Sequence, residues 1–304
     1  MEKYLIGPPG KKIFVRKYGS GKNKVVFFHG FPGSSIQGQV MEPIVDTHDL
    51  EVFAFDRPGY GRSDWQEDRH LLDVRGIIET LMTEFNLKRF SVVGISGGAP
   101  YALATMSLFQ KQIEKKKIIC GLGQLAEQDL AQLMPKKSIL TMRNIPHLPT
   151  ASVNWVVKKF LTQFEPVLPL HRKSKSSTPQ RSQLMRFLFK AAKRDIECLN
   201  TGDHLATLNQ SLLEAFAQGA RGPLRDMQIY TRPWKLNYAQ LPAGIEFHHG
   251  TEDFIVPAEM SIRMQHRVND SVYIPYPQEG HYSLAIERAK DWWSYEASKQ
   301  FDLL

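Results

Sequence analysis

The chain has 304 residues, 42% of them apolar and 23% charged, so it can bury a sizeable core without disulfide or metal staples. Its two cysteines, Cys120 and Cys198, form no CxxC motif, no apolar run approaches the roughly 20 residues of a membrane helix, and Met1 to Pro9 lack the apolar stretch of a signal peptide, so a cytoplasmic setting is the expectation. The formal charge of +8 is unevenly spread: residues 111–194 hold 17 Lys and Arg against 4 Asp and Glu, but no nucleic-acid-binding motif accompanies this basic middle and no nucleic-acid partner is expected.

Apolar runs predict strands at Lys12–Lys17, Val25–His29 and Leu50–Phe55. Over His70–Phe85 the spacing of Leu71, Val74, Ile77, Ile78, Leu81 and Phe85 predicts a helix with one apolar face. A strand at Phe90–Ile95, a helix at Ala99–Leu108 and a strand at Lys117–Gly121 follow. Such alternation predicts an α/β fold with a mostly parallel sheet covered on both faces. The middle contains no clear strand: Val153–Phe164 (Trp155, Val156, Phe160 and Phe164), Leu184–Ala192 and Leu205–Phe216 have helical spacing, and the polar, basic His171–Pro179 reads as a loop. Strand and helix return at Gly244–His248, Ala258–Val268, Ser271–Tyr276 and a last helix through Trp292 and Trp293. The expected organisation is a core domain of residues 1–123 and 239–304 interrupted by a helical cap, residues 124–238, placed over the carboxyl ends of the strands where open α/β sheets bind ligands.

Gly94-Ile95-Ser96-Gly97-Gly98 matches G-x-S-x-G between a predicted strand and a predicted helix. Small neighbours let the backbone turn sharply there and present the Ser96 hydroxyl as a nucleophile. A serine hydroxyl needs a base to take its proton. His281 follows the last predicted strand, at the same rim of the sheet, whereas His29, His48, His70, His147, His171, His204 and His266 fit that position less well. The carboxylate that orients the imidazole is sought in Gly250-Thr251-Glu252-Asp253: Asp253 is the choice, with Glu252 one residue away and Asp226 an outside candidate. In His29-Gly30-Phe31-Pro32-Gly33, after the strand Val25–His29, Pro32 has no N–H, so the amides of Phe31 and Gly97 are the expected oxyanion donors and His29 a brace for the loop. No metal-ligand spacing is present, and neither a metal nor a cofactor is expected.

Together with Asp56-Arg57-Pro58-Gly59-Tyr60-Gly61-Arg62-Ser63, these motifs resemble, in content and order, the signatures of the α/β-hydrolase superfamily. The resemblance implies an eight-stranded sheet with a lid and the order serine, acid, histidine, which favours Asp253 over Glu252. It also implies that Asp56 and Arg57 form a structural loop near the oxyanion site. Ser96 argues against the aspartate nucleophile of epoxide hydrolases and haloalkane dehalogenases, and Gly97 departs from the Trp that proline iminopeptidases carry beside the nucleophile. The expected activity is hydrolysis of an ester or related acyl bond in a small molecule, with carbon–carbon bond or amide hydrolysis, or a ligand receptor on the same pocket, as alternatives. Ile95, Tyr60 and Phe254 are the candidate substrate-pocket residues. The basic, apolar stretch Leu184–Arg194 would suit an anionic or acyl-chain substrate, against the plainer reading of a solvated cap surface.

Overall fold

The computed structural model describes residues 1–7, 10–162 and 192–296. Its strands are β1 (Glu2–Gly7), β2 (Lys11–Gly19), β3 (Asn23–Phe28), β4 (Leu50–Phe55), β5 (Phe90–Ile95), β6 (Ile113–Ile119), β7 (Ile245–Gly250) and β8 (Val272–Tyr276). Its helices are α1 (Glu42–Val45), α2 (Val74–Glu84), α3 (Ala99–Leu108), α4 (Gln128–Ala131), α5 (Lys136–Asn144), α6 (Thr150–Leu161), α7 (Lys193–Leu199), α8 (His204–Ala215), α9 (Arg221–Tyr230), α10 (Glu259–Gln265), α11 (His281–Glu287) and α12 (Ala289–Ser294).

The strands form one eight-stranded sheet in the order β1-β2-β4-β3-β5-β6-β7-β8. β2 runs antiparallel to both its neighbours, and the pairings from β4 through β8 are parallel. Alternate residues of each strand face opposite sides, so β3 sends Val26 and Phe28 to a core shared with α2 and α3, and Val25 and Phe27 to a second core shared with α1, α11 and α12. Both faces are therefore covered, as the near-continuous apolar strands require.

Two strands depart from their sequence-based expectation for physical reasons. β1 was not expected, because among its inward residues only Leu5 and Gly7 are buried and no apolar alternation marks it. It is held by its ladder with β2, Glu2 opposite Arg16 through Gly7 opposite Lys11. β6 begins four residues earlier than expected, its start hidden by the charged run Glu114-Lys115-Lys116-Lys117. Lys117 is nonetheless buried, with its Nζ 2.5 Å from Glu246 and donating to the Tyr295 carbonyl at 2.8 Å.

Between β6 and β7 the described residues form helices α4 to α9 and no strand. Helix α6 buries a different stripe from the expected one. Val153 and Val157 pack with Ala220 and Leu224, while Trp155 and Val156 are exposed. Phe164 and residues 163–191, including the basic loop at His171–Pro179 and most of Leu184–Arg194, lie outside the described residues. Helix α9, which periodicity did not mark, buries Asp226 and Tyr230 completely. Among the described residues no helix is long and apolar enough to cross a membrane.

Candidate active site

β5 ends at Ile95, a single 3-10 turn spans Ser96–Gly98, and α3 begins at Ala99. Ser96 has φ +53°, a left-handed conformation that a residue with a Cβ adopts only where its surroundings enforce it. Close approach of backbone enforces it here. A Cβ on Gly98 would lie 2.3 Å from the Phe28 carbonyl oxygen, and one on Gly94 2.5 Å from Ala102 Cβ. The Ser96 carbonyl accepts the Leu122 N–H at 3.1 Å, fastening the turn to the chain leaving β6.

The carboxyl ends of the parallel strands β5, β7 and β8 share one edge of the sheet, so Ser96, Asp253 and His281 emerge on the same rim. Asp253 Oδ2 accepts His281 Nδ1–H at 2.6 Å. Its Oδ1 accepts the N–H groups of Ile255 and Val256, both at 2.9 Å, and His249 Nε2 lies 3.2 Å from Oδ2. Burial alone would push the Asp253 carboxyl up, but His281 and the hydrogen bonds from His249 and His281 outweigh it and hold it well below the usual carboxylate range. Burial also penalises the charged form of His281. The Asp253 charge and hydrogen bond, with a further contribution from Asp195, nevertheless place its pKa above the ordinary histidine value. With Nδ1 committed to Asp253, Nε2 is the nitrogen left to accept a proton. Among the described residues no hydrogen bond yet joins Ser96 to His281, a contact that commonly tightens only with substrate present. Glu252 makes no such contact: its backbone N–H donates to the Glu279 carbonyl. Asp226 is engaged elsewhere.

Opposite the serine turn, the peptide groups after β3 are oriented by their carbonyls. The His29 carbonyl accepts Arg57 Nη1 at 2.5 Å, while the Gly30 N–H on the other side of that peptide donates to Gln37 Oε1 at 2.7 Å. The Gly30 carbonyl accepts Arg57 Nη2 at 3.1 Å and His29 Nδ1–H at 2.8 Å. A trans peptide points its N–H away from its C=O, so the Phe31 N–H faces away from Arg57. Likewise, the Leu122 contact turns the Gly97 N–H away from β6. Among the described residues neither the Phe31 nor the Gly97 N–H has a protein acceptor. A Cβ built on Gly97 would lie 3.3 Å from Phe31 N, so the two donors are neighbours. Preorganised N–H groups of this kind stabilise an oxygen that gains negative charge. The same Cβ would sit 2.5 Å from Phe31 Cβ and 2.8 Å from the Tyr230 hydroxyl. Gly97→Ala is therefore expected to displace Phe31 and Tyr230, to lower kcat by about 10²-fold, and to lower the thermal midpoint through an overpacking cost of about 1–3 kcal/mol. Retention of full kcat would show that Phe31 is not held where this geometry puts it.

His29, buried and beside Arg57, is driven well below the usual histidine pKa by burial first and then by that cation. It is thus neutral, with its Nδ1–H on the Gly30 carbonyl and Nε2 accepting the Arg57 N–H at 3.5 Å. Asp56 accepts the N–H groups of Ser35 and Arg62 at 2.7 and 3.0 Å and shapes the loop beside it.

Sequence reasoning missed the brace behind this site. Asp226 on α9 meets Arg57 Nε at 2.8 Å, Arg69 Nη2 at 2.7 Å, and the hydroxyls of Tyr60, Tyr101 and Tyr230 at 2.8, 2.6 and 3.1 Å. Tyr230 also donates to the Gly97 carbonyl at 2.8 Å. The cluster therefore ties α9 to both the oxyanion loop and the serine turn. Its members lie 125 to 169 residues from Asp226 along the chain, apart from Tyr230, so no local pattern announces it. Two of the three candidate pocket residues are buried. Tyr60 is fully buried with its hydroxyl on Asp226, and Ile95 packs in the core against α11 and α12, because odd positions of β5 face that side of the sheet. Phe254, next to Asp253, is exposed.

Among the described residues two groups bring possible metal-ligand atoms within 4.8 Å of one another: Cys120, His249 and Asp253, and Cys198, His204 and Glu287. In the first, both nitrogens of His249 are engaged, Nδ1 with Ser261 and Nε2 with Asp253 and the Val256 carbonyl. In the second, His204 Nδ1 lies 2.9 Å from the Cys198 carbonyl and Glu287 binds Arg194 at 2.6 Å.

Residues 23–147 match a family profile described as alpha/beta hydrolase fold. No curated protein sequence matches the chain. Similar solved structures include an esterase from Exiguobacterium antarcticum (17% identity, 97% of each chain covered, TM-score 0.67). A bromoperoxidase from Bacillus anthracis is also similar (16% identity, 96% of each chain, TM-score 0.68). So is a thermophilic esterase from Thermogutta terrifontis (14% identity, 99% of this chain and 97% of that one, TM-score 0.65). At such identities the likeness establishes the architecture.

Proposed function

Because the chain has the α/β-hydrolase fold, we propose that it is a serine hydrolase that cleaves an ester or related acyl bond of a small molecule, with Ser96 as nucleophile, His281 as general base and Asp253 as the acid that orients it. The observation that carries this reading is the 2.6 Å Asp253–His281 bond on the rim where Ser96 is held at positive φ. In the proposed reaction Ser96 Oγ bonds to the carbonyl carbon as His281 Nε2 takes its proton, and the Phe31 and Gly97 amides hold the oxyanion. The intermediate collapses by breaking the bond to the leaving oxygen, which receives that proton. Water then attacks the acyl-enzyme, gives a proton to His281, and the acid product departs as Ser96 regains its hydrogen. Residues 124–238, whose described part is helical, form the proposed lid, and Phe254 is a proposed substrate contact.

A fluorophosphonate probe tests the assignment. The native protein is expected to be labelled and Ser96→Ala not. A folded native protein that resists labelling would overturn the hydrolase reading and favour a ligand-binding role for the pocket. The pH dependence follows from His281: only the neutral imidazole accepts the serine proton, so kcat/KM falls as pH drops through the His281 pKa. Since that pKa is raised above 6.5, the acid limb for a simple aryl ester is expected to have its midpoint above 6.5, and a midpoint well below it would contradict the Asp253–His281 pairing.

A further inference from the structure

Helix α11 starts at His281, and the first N–H groups of any helix lack intrahelical partners. Here a carboxylate from the insertion takes three of them. Asp195 Oδ2 accepts the His281 N–H at 3.0 Å, and Oδ1 accepts those of Tyr282 and Ser283, each at 2.8 Å. The preceding Gly280 N–H goes to Ser283 Oγ at 2.9 Å. Asp195 is completely buried, lies near the start of α7, and there also accepts the Ala192 N–H at 3.3 Å, so one side chain joins the N-termini of α7 and α11. Gly280 is what makes room. A Cβ on it would fall 2.4 to 2.5 Å from all three carboxylate atoms of Asp195. The Gly-His pair noted in the sequence is thus shaped by a residue 86 positions upstream.

We propose that Asp195 is a positioning residue for His281: a second carboxylate, delivered by the helical insertion, that holds the backbone of the histidine and adds negative charge beside it, so that the seating of the insertion governs how the base is presented. This role rests on His281 being the general base. Asp253 orients the ring through Nδ1 from the β7 side, whereas Asp195 grips the main chain from the α7 side, so the two carboxylates constrain different parts of the same residue. The charged and titratable groups around His281 are few. From the β7 side come Asp253 and His249, which contact each other. From β6 comes the buried Cys120, whose Sγ is 3.9 Å from the Gly280 carbonyl. From α11 itself comes Tyr282, edge-on at 5.5 Å. From α7 comes Asp195, whose neighbour Arg194 turns instead toward Glu197, Glu279 and Glu287. Asp195 and Asp253 are the anions that act on the imidazole, and both favour its protonated form.

The test compares the native protein with Asp195→Asn, which keeps size and removes charge, and with Asp195→Ser, which keeps a capping oxygen in a smaller side chain. Folding of each is checked by circular dichroism. Lys193→Gln, which removes only an exposed ion pair within α7, is the control and is expected to behave as native. The first readout is an NMR titration of the His281 ring, assigned by its loss in a His281→Gln protein. In Asp195→Asn its pKa is expected to fall by about half to one unit. The second is the pH profile of Ser96 phosphonylation by the fluorophosphonate, expected to lose about tenfold in plateau rate with its acid limb moved to lower pH. A lowered rate with an unmoved titration and limb would mean that Asp195 only stabilises the fold and would overturn the proposal, as would native behaviour of both variants. Failure of the native protein to react at Ser96 would refute the hydrolase reading, while the ring titration would still decide the role of Asp195.

Discussion

Replacing His281 by alanine is expected to lower kcat for an activated ester by about 10⁴- to 10⁶-fold, and adding Ser96→Ala to it is expected to cost almost nothing more. In the proposed reaction the two side chains act in one event: the hydroxyl attacks only as the imidazole takes its proton, so removing either removes the same step. In the same proposal Asp253 prepares that step, since its bond to Nδ1 leaves Nε2 to take the proton. Residual turnover in the double variant would come from the Phe31 and Gly97 amides, which neither substitution touches, and from binding. Initial rates of the two single variants and the double variant, with labelling by the fluorophosphonate as a check, decide the matter. Losses that multiply, so that the double variant is slower than either single variant by orders of magnitude, would show that the residues do not work as a unit. The fold itself should persist, since neither side chain supplies apolar core.

The largest effect on stability is expected at Asp226. Truncation to alanine leaves Arg57 and Arg69 buried without their carboxylate and the hydroxyls of Tyr60 and Tyr101 without their acceptor, while Tyr230 keeps the Gly97 carbonyl. Breaking a buried ion pair from one side costs about 3–5 kcal/mol, because the surviving charge has neither partner nor water. Chemical denaturation of Asp226→Ala against the native protein measures it, and a loss under about 1 kcal/mol would mean that water replaces the carboxylate. A catalytic loss should accompany the structural one, since Arg57 also holds the carbonyls of His29 and Gly30. The pH dependence has a definite sign. Burial would raise the Asp226 carboxyl, but Arg57 and Arg69 outweigh it and hold it far below its unfolded value. Its contribution is therefore complete above the ordinary carboxylate pKa near 3.8 and is lost as pH falls from there toward the folded value. Asp253 shifts in the same direction, so the candidate site and its brace weaken together in acid.

Local chemistry made much of this protein legible in its sequence. A sharp strand-to-helix turn needs small residues around Ser96, a strand buried on both faces needs a continuous apolar run such as Val25–Phe28, and both requirements are met by adjacent residues. The order of motifs placed Ser96, Asp253 and His281 after strands that a parallel sheet brings to one edge. What contiguous residues do not encode, only the tertiary structure decided. Spacing leaves Glu252 beside Asp253 and motif order favours Asp253, but it is the direction of the loop after β7 that gives Asp253 the bond to His281. Tyr60 and Ile95 lie beside motifs yet face the interior, because the loop at Asp56–Ser63 folds onto α9 and the pleat of β5 sends Ile95 to the core. In sequence Asp226 is only an outside candidate for the orienting acid, and nothing marks Asp195. Each becomes a fastening between the helical segment and the sheet domain because a buried carboxylate must find donors wherever the fold puts them, here more than 80 residues away in the chain.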